Sequence, residues 1–301
     1  MLTLFTIPKP FVGESGRLQR NALRSWRMLG HGVDIILLGD EVGVADAARE
    51  FGALHVPSVA VNRFGTPLLD SAFALAQDHA RSSVVAYANA DLIFYADFLD
   101  AVSIVAAQCE RFMLIGRCYD LDVPDEPLDV AGLLALRGRA EAELRCRDQA
   151  GQVWFRHGLD YFVFRKRSLG ELPSFAVGRP PWDRWMPWRA RQLRMDLVEI
   201  TLSAVVLHQH HGYGHVKQAT DDRWEGPEAE ANRALVGHAR RLALRDAATH
   251  RLDRGDLIRN RRGIWRRMMT ELVLHDSATP IFFVTRWLRW RLRRFSRAKS
   301  S

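Results

Sequence analysis

Apolar positions in the first third of the chain follow two patterns: unbroken short runs, and stripes spaced three and four apart. The runs predict strands and the stripes predict helices, because side chains return to one face every second residue in a strand and every third or fourth in a helix. Residues 2–7 form the first run, which ends at Pro8-Lys9-Pro10. Residues 17–29 carry Leu18, Ala22, Trp26 and Leu29 at helical spacing and stop at Gly30-His31-Gly32. The wholly apolar run 33–38 gives a second strand, 44–51 a second helix and 54–56 a short third strand. A loop over 57–66 leads to a helix over 67–81, with Thr66 as N-cap and Pro67 at the first helical position. A fourth strand over 84–88 completes a βαβαβαβ series, which implies right-handed crossovers and a mostly parallel sheet.

The later pattern is less regular. It predicts a helix over 97–108, a strand over 112–116, a turn at Pro124-Asp125-Glu126-Pro127 and a charge-laced surface helix over 128–146. Strands over 161–164 and 204–207 flank a helix over 182–193 that follows Pro180-Pro181, and beyond Gly226 the chain reads as helical. No repeat and no Gly/Ser-rich linker divides it. The expectation is an α/β fold with a Rossmann-like, mostly parallel central sheet over 1–238, followed by a helical, basic C-terminal appendage over 239–301.

Composition adds a class and a charge asymmetry. Apolar residues make up 48% and charged residues 26% of 301 positions, as in an ordinary globular protein. No run of about eighteen apolar residues is present to span a bilayer, and the N-terminal run lacks the basic start of a signal peptide. Cys109, Cys118 and Cys146 are odd in number and lack metal-ligand spacing, so the expected location is a reducing cytoplasm. The net charge of +8 belongs to the tail: residues 251–301 hold 14 Lys and Arg against 4 Asp and Glu, while the first 250 hold 29 against 31. Within that tail, 281–297 projects as an amphipathic helix with Arg286, Arg289, Arg293 and Arg297 opposite an apolar stripe. Such a helix suits an anionic membrane surface, at the inner face of the cell membrane, and equally a helix packed on the body. No aromatic platform accompanies the arginines, so nucleic acid is not an expected partner.

Several motifs are absent. There is no G-x-G-x-x-G, no G-x-x-x-x-G-K-[ST] and no G-x-S-x-G, which argues against a dinucleotide enzyme, a P-loop NTPase and a serine hydrolase. Any phosphate must then be held by a metal and by individual cations. The run Val84-Val85-Ala86-Tyr87-Ala88 stops on Asn89-Ala90-Asp91, at the carboxyl end of a central strand, where open α/β sheets bind ligands. An amide and a carboxylate there suit a divalent cation holding a diphosphate, or form an ordinary Asn/Asp turn. Asp40 follows the second strand and can take a ribose hydroxyl or sit as a helix N-terminal carboxylate. Arg63 can meet a diphosphate or be a solvated loop arginine; Asp70 lies in the first turn of the third helix, where the dipole alone would explain it.

Two later stretches carry acids beside aromatics. Gly158-Leu159-Asp160 precedes the 161–164 strand. In Gly178-Arg179-Pro180-Pro181-Trp182-Asp183-Arg184-Trp185, with Trp188 beyond, indoles surround one carboxylate. That is a way to face a sugar ring and to raise an acid toward general-base range, or else a Trp-rich core seam with Asp183 as cap. His208-Gln209-His210-His211-Gly212-Tyr213-Gly214-His215 follows a strand, so His208 and His210 share a face and one imidazole can join Asp91 on a cation. A surface histidine cluster with no ligand is the other reading.

Taken in order, Asn89-Ala90-Asp91, 158–164, 178–185 and 206–215 resemble the nucleotide-sugar glycosyltransferases of the GT-A fold, in particular a bacterial group with a Y-x-N-x-D step and an H-Q-x-H-x-Y-x-H end. The resemblance covers about residues 2–235. It implies a hexosyltransferase-like enzyme moving sugar from a UDP- or GDP-sugar donor to a glycan or lipid-linked acceptor, in cell-surface polysaccharide or glycolipid assembly, with Mn²⁺ or Mg²⁺ on the diphosphate. It places Asn89 and Asp91 on the metal motif, with Asn in the position of the first acid. The late metal-binding histidine falls on His208, with His210 or His215 as substitutes. Thr6, Pro8 and Asp40 fall on nucleotide contacts, and Asp183, with Asp160 second, falls on the base of inverting members. The alternative is a non-catalytic nucleotide-sugar or partner-binding protein on the same fold.

Overall fold

A computed structural model describes residues 1–149, 159–210, 225–237 and 248–260. The expected opening series is present: β1 (Leu2–Thr6), α1 (Gly13–Met28), β2 (Val33–Leu38), α2 (Val44–Glu50), β3 (Leu54–Val56), α3 (Leu69–His79) and β4 (Val84–Ala88). Then come β5 (Leu92–Ile93), α4 (Ala96–Gln108), β6 (Phe112–Ile115), β7 (Tyr119–Asp122), α5 (Val130–Gln149), β8 (Tyr161–Arg165), α6 (Trp182–Gln192), β9 (Asp196–Glu199) and β10 (Leu207–His210). The described chain ends with α7 (Pro227–Val236), β11 (His250–Asp253) and β12 (Asp256–Arg259).

The main sheet has the order β12-β11-β9-β6-β8-β4-β1-β2-β3. All neighbours are parallel except those involving β8 and β12, so the sheet is mostly parallel and Rossmann-like, as expected. Successive side chains alternate between its faces. Leu4, Ile35 and Ala86 pack on one face with Trp26 of α1 and Phe98 of α4. Phe5, Ile36, Val85 and Tyr87 pack on the other with Phe73 of α3 and Trp185 of α6. A second, three-stranded sheet, β5-β10-β7, lies under α5 through Ile93, Tyr119, Leu121, Leu207, Leu133 and Leu136.

Four expectations are corrected. Thr66 does not cap α3: Pro67 and Leu68 are extended, bridged to Val61 and Ala176, and the helix begins at Leu69. His208 and His210 do not follow the expected strand but lie in one, since β10 runs to His210. Strand β7 was not anticipated; its alternation of buried Tyr119 and Leu121 with exposed Asp120 and Asp122 is too short to stand out beside the Pro124 turn. The chain beyond Gly226 is not all helical, because β11 pairs in parallel with β9 and β12 pairs with β11, which extends the main sheet. Residues 281–297 lie outside the described residues. Among the described residues no helix is long and apolar enough to cross a membrane.

Candidate active site

The strand order reverses between β1 and β4: from β1 the sheet proceeds to β2 and β3 on one side and to β4 on the other. Loops leaving such a point diverge and open a crevice at the carboxyl ends of the strands. Asn89-Ala90-Asp91 leaves β4 there as a tight turn, with the Leu92 N–H donating to the Asn89 carbonyl at 3.2 Å.

Two groups form around this turn. In the first, the Tyr87 hydroxyl donates to Asn89 Oδ1 at 3.1 Å, and Asn89 Nδ2 donates to Asp160 Oδ1 at 2.9 Å. The Asn89 backbone N–H also donates to the Asp160 carbonyl at 2.9 Å, which ties the end of β4 to the start of β8. Burial first, and then the Asp91 and Asp160 carboxylates, hold the Tyr87 hydroxyl well above its ordinary pKa, so it remains a donor.

In the second group, antiparallel pairing of β10 with β5 sets His208 opposite Leu92, and parallel pairing with β7 sets it opposite Asp120. His208 Nε2 lies 3.5 Å from Asp91 Oδ2, and its Nδ1 lies 2.7 Å from Asp120 Oδ1. The ring is buried, whereas the Asp91 side chain retains 21% exposure, with its Oδ1 buried. Gln209, also buried, fixes the turn from behind: its Nε2 donates to the carbonyls of Asp91 at 3.0 Å and Leu18 at 2.8 Å. Its Oε1 accepts from Asn21 Nδ2 at 3.0 Å, so the turn is pinned to α1.

Among the described residues, no group of three or more His, Cys, Asp or Glu side chains converges on one point as a metal cage. Asp91 and His208 could offer one oxygen and one nitrogen to an ion whose other positions a substrate phosphate and water would fill.

No protein-family model and no curated protein matches the chain. Several solved structures are similar to it. S. aureus TarS 1-349 has a TM-score of 0.44 at 10% identity over 69% of this chain and 60% of its own. The mannosyltransferase PcManGT from Pyrobaculum calidifontis, in complex with GDP-Man and Mn²⁺, has 0.43 at 14% over 71% and 58%. Glucosyl-3-phosphoglycerate synthase of M. tuberculosis has 0.44 at 15% over 78% and 79%. This chain thus spans about three fifths of the length of the first two.

The remaining candidates take distinct places. Asp183, in the first turn of α6, is joined to the first group: its carboxylate accepts from the Leu159 N–H, next to Asp160, and Trp182 packs edge-on against Tyr87 at 5.4 Å. Burial raises the pKa of Asp183, against the opposing pull of the Arg184 guanidinium and of the Arg184, Leu159 and Asp183 backbone N–H groups. The indoles do not form an open platform. Trp182, Trp185 and Trp188 are all buried, against Phe162, Phe175 and each other, so the core-seam reading holds for them.

Thr6 and Pro8 are buried at the end of β1, and Thr6 Oγ1 has no hydrogen-bond partner among the described residues. Asp40, Arg63 and Asp70 share the carboxyl end of the sheet but, among the described residues, make no hydrogen bond or ion pair with either group. Asp40 is exposed, Arg63 lies over Phe64 at 4.7 Å, and Asp70 accepts from the Ser174 hydroxyl. His210 pairs with Asp122 at 2.9 Å on the exposed end of β10. Gly158 and His215 lie outside the described residues. Sequence reasoning missed Asp120, Asn21 and the role of Gln209; the one available signal was the alternation through Tyr119-Asp120-Leu121-Asp122.

Proposed function

We propose that the chain is a metal-assisted glycosyltransferase that moves a sugar from a nucleoside-diphosphate sugar to an acceptor hydroxyl with inversion. The observation that carries this reading is the approach of Asp91 Oδ2 and His208 Nε2 to 3.5 Å at the strand-order reversal. Both atoms are acceptors when the imidazole is neutral with its proton on Nδ1, and two acceptors held face to face call for a cation. A carboxylate and an imidazole suit Mn²⁺ better than Mg²⁺, which prefers an all-oxygen shell. Bound there, the ion would offset the negative charge developing on a departing diphosphate.

The chain's own residues would do the rest. Asp183 would accept the proton of the attacking acceptor hydroxyl, and its raised pKa makes it a stronger base than a solvated carboxylate. Asp160 and Tyr87, joined through Asn89, would hold that face of the crevice in place. Thr6 and Asp40 would line the nucleoside side. The acceptor would be a glycan or lipid-linked hydroxyl, with 281–297 drawing the chain to anionic lipid, a step checked by co-sedimentation with phosphatidylglycerol vesicles.

The test is calorimetric titration of UDP- and GDP-sugars with and without Mn²⁺, followed by donor turnover. Binding that requires Mn²⁺ and leads to slow donor hydrolysis supports the reading. Binding indifferent to Mn²⁺ and without turnover would favour a nucleotide-sugar-binding protein instead.

A further inference from the structure

We infer that Asp120 is a positioning residue of the cation site, setting which nitrogen of His208 carries the proton and so which one faces the cation. This rests on the function proposed above but concerns a residue outside the Asn89-Ala90-Asp91 and 208–215 motifs. A neutral imidazole has one N–H and one lone pair. The 2.7 Å contact between Nδ1 and Asp120 Oδ1 has the length of a charge-assisted hydrogen bond and is made only if Nδ1 holds the proton. The other tautomer would press a nitrogen lone pair against a carboxylate oxygen at that distance. With the proton on Nδ1, the Nε2 lone pair points to Asp91 Oδ2, 3.5 Å away, a span that two ligands about 2.1 Å from a common ion can cover.

Three features of the fold favour this assignment. The register that pairs β7 with β10 places Asp120 directly opposite His208, so the contact is built into the ladder. His208 is 4% exposed, and its ring is held between two carboxylates on opposite edges. Asp120 meets the Nδ1 edge while Asp91 meets the Nε2 edge, so Asp120 is an outer partner of the imidazole and not a third ligand. One step along the ladder, His210 and Asp122 repeat the pairing at 2.9 Å, but both are exposed and, among the described residues, His210 is paired with no second carboxylate. That second pair is an internal control: same chemistry, same register, no site.

The test uses the full chain with Mn²⁺ titrated by calorimetry in the presence of saturating UDP or GDP, and nitrogen-15 NMR of the metal-free chain reporting the tautomer of the His208 ring. Asp120→Ala is expected to weaken Mn²⁺ binding by about 10- to 100-fold, the usual effect of removing such a partner, and to release the ring from the Nδ1–H form. Asp120→Asn, whose Oδ1 still accepts from Nδ1, is expected to recover much of both. Asp122→Ala should change neither. The Asp120 side chain is 44% exposed, so these replacements leave the core intact, and unchanged thermal melts would verify it.

Wild-type affinity in Asp120→Ala, or a wild-type ring protonated at Nε2, overturns the inference. If Asp91→Asn abolishes Mn²⁺ binding while Asp120→Ala does not, the role of Asp120 falls and the cation site stands. If the wild-type chain binds no Mn²⁺, both fall together.

Discussion

Two clusters share the end of β4 and differ in how their polar atoms are matched. Around Asn89, donors meet acceptors in a chain: the Tyr87 hydroxyl to the amide oxygen, the amide nitrogen to Asp160. Around His208, a carboxylate stands at each edge of a single ring, and the 3.5 Å approach to Asp91 is too long for a good hydrogen bond. The first cluster is linked donor to acceptor within the chain and fixes geometry. In the function proposed above, a cation would sit beside the second. The difference teaches which group to regard as scaffold and which as chemistry, although the sequence motif Tyr87-Ala88-Asn89-Ala90-Asp91 runs through both.

The comparison breaks most sharply at Asp183, which hangs from the first cluster through Leu159 but, in the function proposed above, would act on substrate. Asp183→Asn should lower kcat by about 10²- to 10⁴-fold, the range for a lost general base, with donor binding by calorimetry little changed. Because burial raises its pKa, the acid limb of the wild-type rate profile should lie above the ordinary carboxylate range, and activity should climb as pH rises through it. The same shift makes the folded state favour the protonated form. Its stabilising effect is therefore full at pH below the unfolded value and lost as pH rises through the folded one, a slope that Asp183→Asn should remove from chemical denaturation curves.

In the second cluster, Asp91→Asn should reduce turnover by about 10²- to 10³-fold, the scale for lost electrostatic stabilisation of developing charge. A chelator should do the same to the wild type, and added Mn²⁺ should restore only the wild type. In the first cluster, Asn89→Ala removes the amide's hydrogen bonds with Tyr87 and Asp160 and should cost about 1–3 kcal/mol of stability in urea while leaving Mn²⁺ affinity within a few-fold. Tyr87→Phe removes one hydrogen bond and should cost about 1 kcal/mol by the same measurement. A large loss of Mn²⁺ affinity in either of the last two would erase the distinction between the clusters.

Much of this was legible along the chain. The short apolar runs 2–7, 33–38 and 84–88 match β1, β2 and β4 closely because a strand buried on both faces needs an unbroken apolar sequence. Asp91, His208 and Asp183 stood out because they interrupt such patterns with groups that carry charge. The start of α3 was misread since Thr66-Pro67 has the chemistry of a helix start, yet Pro67 and Leu68 are drawn into bridges with Val61 and Ala176. The tryptophans were ambiguous, because an indole serves a core and a sugar platform equally well until its neighbours are known.

The sequence by itself determined the α/β class, the strand that ends in the site and the side chains able to do chemistry, since these follow from local periodicity and residue type. Tertiary structure decided which of them meet. Asp91 and His208 are more than a hundred residues apart, and β10 and β7 are short strands whose partners no local pattern specifies. Only pairing across the small sheet puts Asp120 and Asp91 at the two edges of one ring, because hydrogen-bond register between distant strands, not spacing along the chain, sets those distances.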